Sequence, residues 1–119
     1  MELLAIVEAL EKKTSQERLS WLTNWLQEHQ IEFKTQIYAS GTNLWVASDK
    51  ALHIGVGSHF DIVPNSGGAN DNGSAIAVCL GLLEKYRNHK TQKIGLSVYF
   101  FDEEETGLKG SKAFLQRVG

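Results

Sequence analysis

The amino-acid sequence predicts an α/β protein, a three-layer α/β/α sandwich around a mixed, mostly parallel sheet. Residues 94–101 (IGLSVYFF) form a continuous apolar run, which is typical of a strand covered on both faces. Segments with helical spacing of apolar residues alternate along the chain with segments that resemble strands. Because such alternation favours helices packed on one sheet, we expect residues 1–119 to form a single domain.

The N-terminal part of the chain predicts two helices. Apolar side chains at helical spacing indicate an amphipathic helix over residues 2–12. Thr14 followed by Glu17 is a capping box, which predicts the start of a second helix. One apolar stripe along that helix is formed by Leu19, Leu22 and Leu26.

Four segments are predicted as strands: residues 31–38, 43–48, 52–58 and 94–101. Ile31, Phe33 and Ile37 alternate with polar residues, which is the period of a half-buried strand. The glycines of residues 52–58 indicate that another part of the chain approaches the backbone closely there.

The remaining segments are a loop and two helices. Residues 59–72 have no periodicity and contain a proline and several glycines, so they predict a loop. Residues 74–86 are apolar on nearly every face and predict a buried helix. A short C-terminal helix is expected from about Ser111.

Composition excludes several classes of function. The net charge of −2 provides no general attraction for nucleic acid or anionic lipid. No apolar run approaches the length of a membrane span, and the N-terminus lacks a basic leader, so we expect a cytoplasmic protein. Cys79 is the single cysteine, which excludes an internal disulfide framework and is expected to lie in the core.

Residues able to bind a metal ion follow the two most apolar strands. His59 and Asp61 come at the end of residues 52–58, and acidic residues 102–105 follow residues 94–101. Ligands of open α/β sheets bind at the carboxyl ends of the strands, and the loop that ends at Asp71 starts from the same rim. An imidazole and several carboxylates there predict a site for zinc or a similar divalent ion.

The local spacing within these clusters is chemically sensible. His59 and Asp61 lie two positions apart in extended chain, so Asp61 can accept a hydrogen bond from the imidazole nitrogen that faces away from the metal. Glu104 and Glu105 are adjacent and point in different directions. One can therefore bind the metal, while the other faces substrate and water and serves as a base.

Each of these residues also has a structural interpretation when it is taken alone. His59 is then a solvated side chain at a strand end, Asp61 a turn residue, and Asp71 the N-cap of a helix. The acidic run at 102–105 is then a solvated helix start, favoured by the helix dipole.

Three sequence blocks together favour the metal site. GSHFDIVP, GANDNGSA and EETGLKGS, in this order, resemble the bacterial leucyl aminopeptidases. That group is family twenty-eight of the metallopeptidases, which also contains glutaminyl cyclases and glutamate carboxypeptidases. The resemblance runs from about residue 52 to residue 115. It implies part of a phosphorylase/hydrolase-like zinc exopeptidase fold, in which residues 94–101 lie between the second and third strands and parallel to the third.

The resemblance also implies a role for each site residue. His59 binds one zinc ion, Glu105 binds the other, and Asp71 bridges both. Glu104 is the general base for a zinc-activated water, and Asp61 orients His59. The implied function is aminopeptidase-like hydrolysis of peptide or amide bonds in a peptide or aminoacyl substrate.

The family is longer than this sequence, and three expectations follow. The family supplies one further aspartate and one further histidine to the metals, so we expect a truncated domain that binds zinc weakly and is nearly inactive alone. A strand that pairs beside residues 52–58 in the family is also missing, which predicts a homodimer through that open edge. The alternatives are a family-twenty-like deacylase or carboxypeptidase, and a non-catalytic binding or assembly module.

Overall fold

The computed structural model describes residues 3–50, 52–63, 68–86 and 94–118. Its helices are α1 (Leu3–Leu10), α2 (Ser15–Glu28), α3 (Ser74–Tyr86) and α4 (Lys109–Val118). Its strands are β1 (Lys34–Ile37), β2 (Thr42–Val46), β3 (His53–His59) and β4 (Gly95–Phe101). An irregular turn at Ala69–Gly73 precedes α3, and a short 3₁₀ helix at Glu104–Thr106 follows β4.

The four strands form one mixed sheet in the order β1-β2-β4-β3. β4 is parallel to β3, while the β1–β2 and β2–β4 pairs are antiparallel. The predicted position of residues 94–101, between the second and third strands and parallel to the third, is therefore confirmed. His59 lies opposite Phe101, so β3 and β4 end side by side at one rim of the sheet.

Helices cover both faces of this sheet, which confirms the predicted sandwich. Side chains alternate between the two faces along a strand. One face packs on α1, α2 and α3 and contributes Leu44, Val46, Val98 and Phe100 to the main core. On the other face, Phe114 of α4 contacts the aromatic rings of Trp45, Tyr99 and Phe101.

The N-terminal helices follow the sequence prediction closely. Thr14 Oγ1 accepts a hydrogen bond from the Glu17 backbone N–H at 3.1 Å, and Glu17 Oε1 accepts one from the Thr14 backbone N–H at 2.9 Å. The predicted capping box is therefore present. Helix α1 ends at Leu10, two residues before the predicted end, and Lys12 then takes a positive φ of 62°.

Two predictions about burial were wrong in detail. β1 begins at Lys34, so Ile31 is buried ahead of the strand, while Ile37 is 81% exposed. β1 is an edge strand, and Ile37 is its last residue. Helix α3 has the predicted bounds, but Val78 is 49% exposed, so one face of this helix is not covered. Helix α4 begins at Lys109, before the predicted Ser111.

The glycines of β3 lie under aromatic rings, as the sequence predicted. A Cβ atom at Gly55 would lie 3.1 Å from the Tyr99 ring, and one at Gly57 would lie 3.3 Å from the Phe101 ring. A Cβ atom at either position would be in tight contact with the ring, which would have to shift by a few tenths of an ångström.

The predicted loop at residues 59–72 is only partly a loop. His59 is the last residue of β3, and residues 64–67 lie outside the described residues.

Cys79 is buried in α3, and burial raises the pKa of its thiol to about 11, which suits the expected core position. Among the described residues, no helix has both the length and the apolarity that a membrane span requires.

Candidate metal centre

Three side chains that are distant in sequence converge at the rim where β3 and β4 end. His59 ends β3, Asp71 lies in the turn before α3, and Glu105 lies in the 3₁₀ helix after β4. One nitrogen or oxygen atom from each of the three lies within 4.8 Å of the other two. The His59 Nε2 atom lies 3.1 Å from Asp71 Oδ1. The parallel pairing of β3 with β4 produces this convergence, because it ends both strands at the same rim.

Asp61 connects His59 to the backbone of the acidic cluster. Its Oδ1 atom lies 3.2 Å from His59 Nδ1 and accepts the Glu104 backbone N–H at 3.0 Å. Its Oδ2 atom accepts the Glu105 backbone N–H at 3.1 Å. Asp61 is 4% exposed, so these bonds are shielded from water. The sequence predicted the contact with His59 but missed the two backbone contacts, which fix the position of Glu104 and Glu105.

The electrostatic state of Asp61 and His59 follows from their contact. Burial raises the pKa of Asp61, but hydrogen bonds from His59 and from the Glu105 and Glu104 N–H groups outweigh burial and leave that pKa below its ordinary value. The hydrogen bond to Asp61, with the charges of Asp61, Glu104 and Asp71, raises the pKa of His59 against the effect of burial. His59 Nδ1 is therefore held by Asp61, and Nε2 faces the other carboxylates.

Asp71 and Glu105 form a close pair of carboxyl groups. The hydrogen bond with Asp71, followed by burial and the charges of Asp71 and Glu104, raises the pKa of Glu105 to about 7. The Glu105 Oε1 atom is buried and has no hydrogen-bond partner in the described part of the chain. Carboxyl groups this close cannot both ionise easily unless a cation neutralises them.

These observations fit a divalent cation. An imidazole nitrogen and two carboxylates are donor types that zinc and similar transition metals accept. A cation here would replace the proton on Glu105, give the buried Oε1 atom a partner, and take the Nε2 side of His59. Asp71 contacts both of the other residues.

The turn that carries Asp71 has an irregular backbone. Asp71 (φ −120°, ψ 82°) and Asn72 (φ −138°, ψ 35°) are not helical, and the peptide bond between them is cis. Asn72 Nδ2 donates a hydrogen bond to Ser58 Oγ at 3.0 Å, which ties the turn to the end of β3. This contact was not predicted, since nothing in the local pattern distinguishes Asn72 from an ordinary helix-capping residue.

Glu104 differs from Glu105 in its surroundings. Its Oε2 atom lies 3.7 Å from His59 Nε2, and its side chain is 41% exposed. It lies at a cleft of about 360 Å³ that is lined by Gly57, Ser58, His59, Asn72, Phe101, Asp102, Glu104 and Ser111. Glu103, which has no predicted role, instead accepts a hydrogen bond from Ser40 Oγ at 2.6 Å.

The other histidines have structural surroundings. The His29 ring stacks on Trp25 and its Nε2 atom lies 3.5 Å from Glu84. The His53 Nδ1 atom lies 2.8 Å from Ser97 Oγ. His89 lies outside the described residues.

The chain is similar to curated proteases in sequence. It is 37% identical over 89 residues to the vacuolar membrane protease of Clavispora lusitaniae, covering 71% of this chain and 9% of that protein. It is 37% identical over 86 residues to the vacuolar membrane protease of Candida tropicalis, covering 69% of this chain and 10% of that protein. The chain thus matches about a tenth of the length of these relatives.

Solved structures show the same fold. The glutaminyl cyclase of Macrostomum lignano superposes with a TM-score of 0.76 at 19% identity, covering 97% of this chain and 44% of that one. The glutaminyl cyclase of Fimbriiglobus ruber superposes with a TM-score of 0.72 at 20% identity, covering 97% and 53%. The sequence model described as "Peptidase family M28" matches residues 43–118, the region that holds His59, Asp61, Asp71, Glu104 and Glu105. With that match over more than half of its length, the chain belongs to peptidase family M28.

Proposed function

We propose that this chain carries a two-zinc hydrolytic site of the aminopeptidase type, which acts on peptide or amide bonds of a peptide or aminoacyl substrate. The convergence of His59, Asp71 and Glu105 within 4.8 Å carries this proposal. The protease names of the relatives and the membership of family M28 support it. Membership of family M28 supports this proposal over the family-twenty alternative.

The proposal assigns each of the three converging residues to one or both zinc ions. His59 would hold one zinc ion and Glu105 the second, and Asp71 would contribute to both, which agrees with the contacts that Asp71 makes to the two other residues. When bound, zinc supplies Lewis-acid polarisation of the scissile carbonyl and lowers the pKa of the attacking water.

Glu104 is proposed as the general base. Its carboxylate takes a proton from the attacking water as the water oxygen bonds to the carbonyl carbon. It then gives that proton to the leaving nitrogen as the carbon–nitrogen bond breaks. The support for this role is the position of Glu104: half-exposed at the cleft, and 3.7 Å from His59 without being its closest carboxylate.

Asp61 acts indirectly in this scheme. Its buried carboxylate holds the His59 ring through Nδ1 and the Glu104 and Glu105 backbone through their N–H groups. One residue thus fixes a ligand of each zinc ion and the base relative to one another. Groups that orient metal ligands in this way tune both affinity and reactivity.

Zinc binding by the 119-residue chain alone is proposed to be weak. The described residues give each of two ions two protein ligands, whereas three protein ligands plus water are usual at a catalytic zinc. Water adds little affinity, because the free ion is already hydrated. Turnover by the chain alone is therefore expected to be barely detectable.

Calorimetric titration with zinc and hydrolysis of aminoacyl-nitroanilides test these proposals. We expect weak zinc binding that is lost in His59→Gln and retained in Glu104→Gln. Any turnover should disappear in Glu104→Gln and persist in Glu103→Gln, a matched control whose carboxylate contacts Ser40 instead. If zinc affinity does not change in His59→Gln, the assignment of His59 as a zinc ligand is wrong.

The same two measurements separate the remaining alternatives. Zinc binding without any turnover favours the non-catalytic binding or assembly module. Tight binding of two zinc ions with robust turnover, abolished by Glu104→Gln, would contradict the proposed weakness and strengthen the assignment of the site.

A further inference from the structure

Helix α2 contains a charged side chain that the core fully encloses. Arg18 is 0% exposed, although it lies on a helix whose buried positions are otherwise apolar. Its Nη2 atom donates hydrogen bonds to Leu10 O at 3.1 Å and to Gly68 O at 3.0 Å. Its Nε and Nη1 atoms are buried and have no hydrogen-bond partner among the described residues. Burying a charge so incompletely paired costs free energy, so the position of Arg18 calls for an explanation.

The carbonyl that Arg18 holds belongs to the segment carrying Asp71. Gly68 O also accepts the Gly73 backbone N–H at 2.8 Å, which closes the turn between them. Arg18 and the Gly73 N–H therefore share one acceptor, and Asp71 lies inside the loop that this bond closes. The C-terminal end of α1 is fixed to the same guanidinium through Leu10.

The contact between Arg18 and Gly68 is too close for any other residue at position 68. Gly68 has a φ of +75°, and a Cβ atom there would collide with the Arg18 guanidinium. A Cβ at Gly73 would lie 2.9 Å from Gly68 O. The turn thus rests on the guanidinium at Gly68 and closes on itself between Gly68 and Gly73.

The guanidinium also faces the acidic side of the metal centre. Burial lowers the pKa of Arg18, and the charges of Asp61 and Asp71 oppose that shift. The positive charge of Arg18 is therefore close enough to both carboxylates to interact with them.

From this geometry we propose that Arg18 is a positioning residue of the metal centre, which holds the Gly68–Gly73 segment so that Asp71 faces His59. Arg18 does not touch a ligand atom and acts through the Gly68 carbonyl. The link to zinc affinity rests on the function proposed above, whereas the hold on the segment does not.

Arg18→Met provides a direct test in the whole 119-residue chain. Methionine is of similar length and apolar, so it preserves packing while removing the donors and the charge. Replacing an incompletely paired buried charge in this way is often neutral or stabilising. The matched control is Leu22→Ala, which removes a fully buried side chain of the same helix without touching Gly68.

Two measurements are needed. In the metal-free chain, hydrogen exchange of the Gly73 amide should be at least tenfold faster in Arg18→Met, without a matching loss of global stability. Zinc affinity by calorimetry, under conditions where circular dichroism shows both variants folded, should fall at least tenfold. In Leu22→Ala, zinc affinity should stay within threefold of the unaltered chain. A purely structural role would change affinity and global stability together.

The outcomes are distinguishable. If Gly73 exchange and zinc affinity in Arg18→Met both stay within threefold of the unaltered chain, the proposal is overturned. If the unaltered chain binds no zinc, the proposed function fails, and Gly73 exchange alone decides the role of Arg18. Should Arg18→Met not fold, Gly68→Ala displaces the guanidinium from the turn and must give the same two changes. Unchanged exchange and affinity in Gly68→Ala would also overturn the proposal.

Discussion

Replacement of Asp61 by asparagine tests the central contact of the metal centre. Asparagine has nearly the same shape but retains only one acceptor oxygen, where the Asp61 carboxylate accepts three buried hydrogen bonds. Its NH₂ group must then face a donor: the Glu104 N–H, the Glu105 N–H or the His59 ring. At least one buried donor is left without a partner.

The expected magnitude follows from that count. An orphaned buried donor costs about 1–3 kcal/mol, and a hydrogen bond to a charged group contributes about 1.5–3 kcal/mol. Asp61→Asn should therefore lower the free energy of unfolding by about 2–4 kcal/mol at pH 7. Zinc affinity should fall by about 10–100-fold, because the orientation of His59 is loosened.

The contribution of Asp61 to the free energy of unfolding should depend on pH in a definite direction. The folded-state pKa of Asp61 is below its ordinary value, so its carboxylate stabilises the fold above about pH 4. That contribution is lost as the pH falls through the folded-state pKa. The difference in stability between the unaltered chain and Asp61→Asn should therefore be large at pH 7 and shrink in acid.

Urea unfolding at several pH values and calorimetric zinc titration measure these effects. Asp49→Asn is the control, because it removes the same charge from an exposed loop position and should change stability by less than about 0.5 kcal/mol. Equal stabilities for Asp61→Asn and Asp49→Asn would refute the role assigned to the buried carboxylate.

Three other predictions concern pH, association and helix capping. Without metal, His59 and Glu105 have raised folded-state pKa values, so each contributes stability that is fully present below its unfolded-state pKa. That contribution is lost as the pH rises through the folded-state pKa, which is about 7 for Glu105. Urea unfolding should show a smaller loss in Glu105→Gln, and zinc should oppose the loss. We propose that two copies pair through β3, which has no described strand on its outer side. Sedimentation at high micromolar concentration should show a dimer. Ile54→Lys on β3 should disrupt this dimer, whereas Ile37→Lys on the other edge strand should not. A strict monomer would contradict this pairing. Thr14→Ala should lower the free energy of unfolding by about 1 kcal/mol in thermal or urea unfolding, and Thr14→Ser should not, because serine keeps the capping oxygen.

Local patterns in the sequence were enough to predict most helices and strands and the residue types at the rim where β3 and β4 end. Local spacing predicted the capping box at Thr14, helix α3 and the buried strand β4, because these patterns depend on neighbours a few residues apart. It also identified the candidate ligands, since an imidazole and carboxylates after two parallel strands must meet if the strands are adjacent. The pairing of β3 with β4 then brought His59 and Glu105 to one rim.

The contacts that hold these candidate ligands in place became visible only in the folded chain. Asp71 lies in a non-helical turn without any periodicity, so its approach to His59 depends on contacts with distant parts of the chain. Arg18 is charged, and no local pattern predicts that it lies in the core. It is buried there as the donor to Leu10 O and to Gly68 O, which lies 50 residues after Arg18. Such hydrogen bonds join segments with no shared local pattern. Their partners become definite only when the sheet and helices have packed.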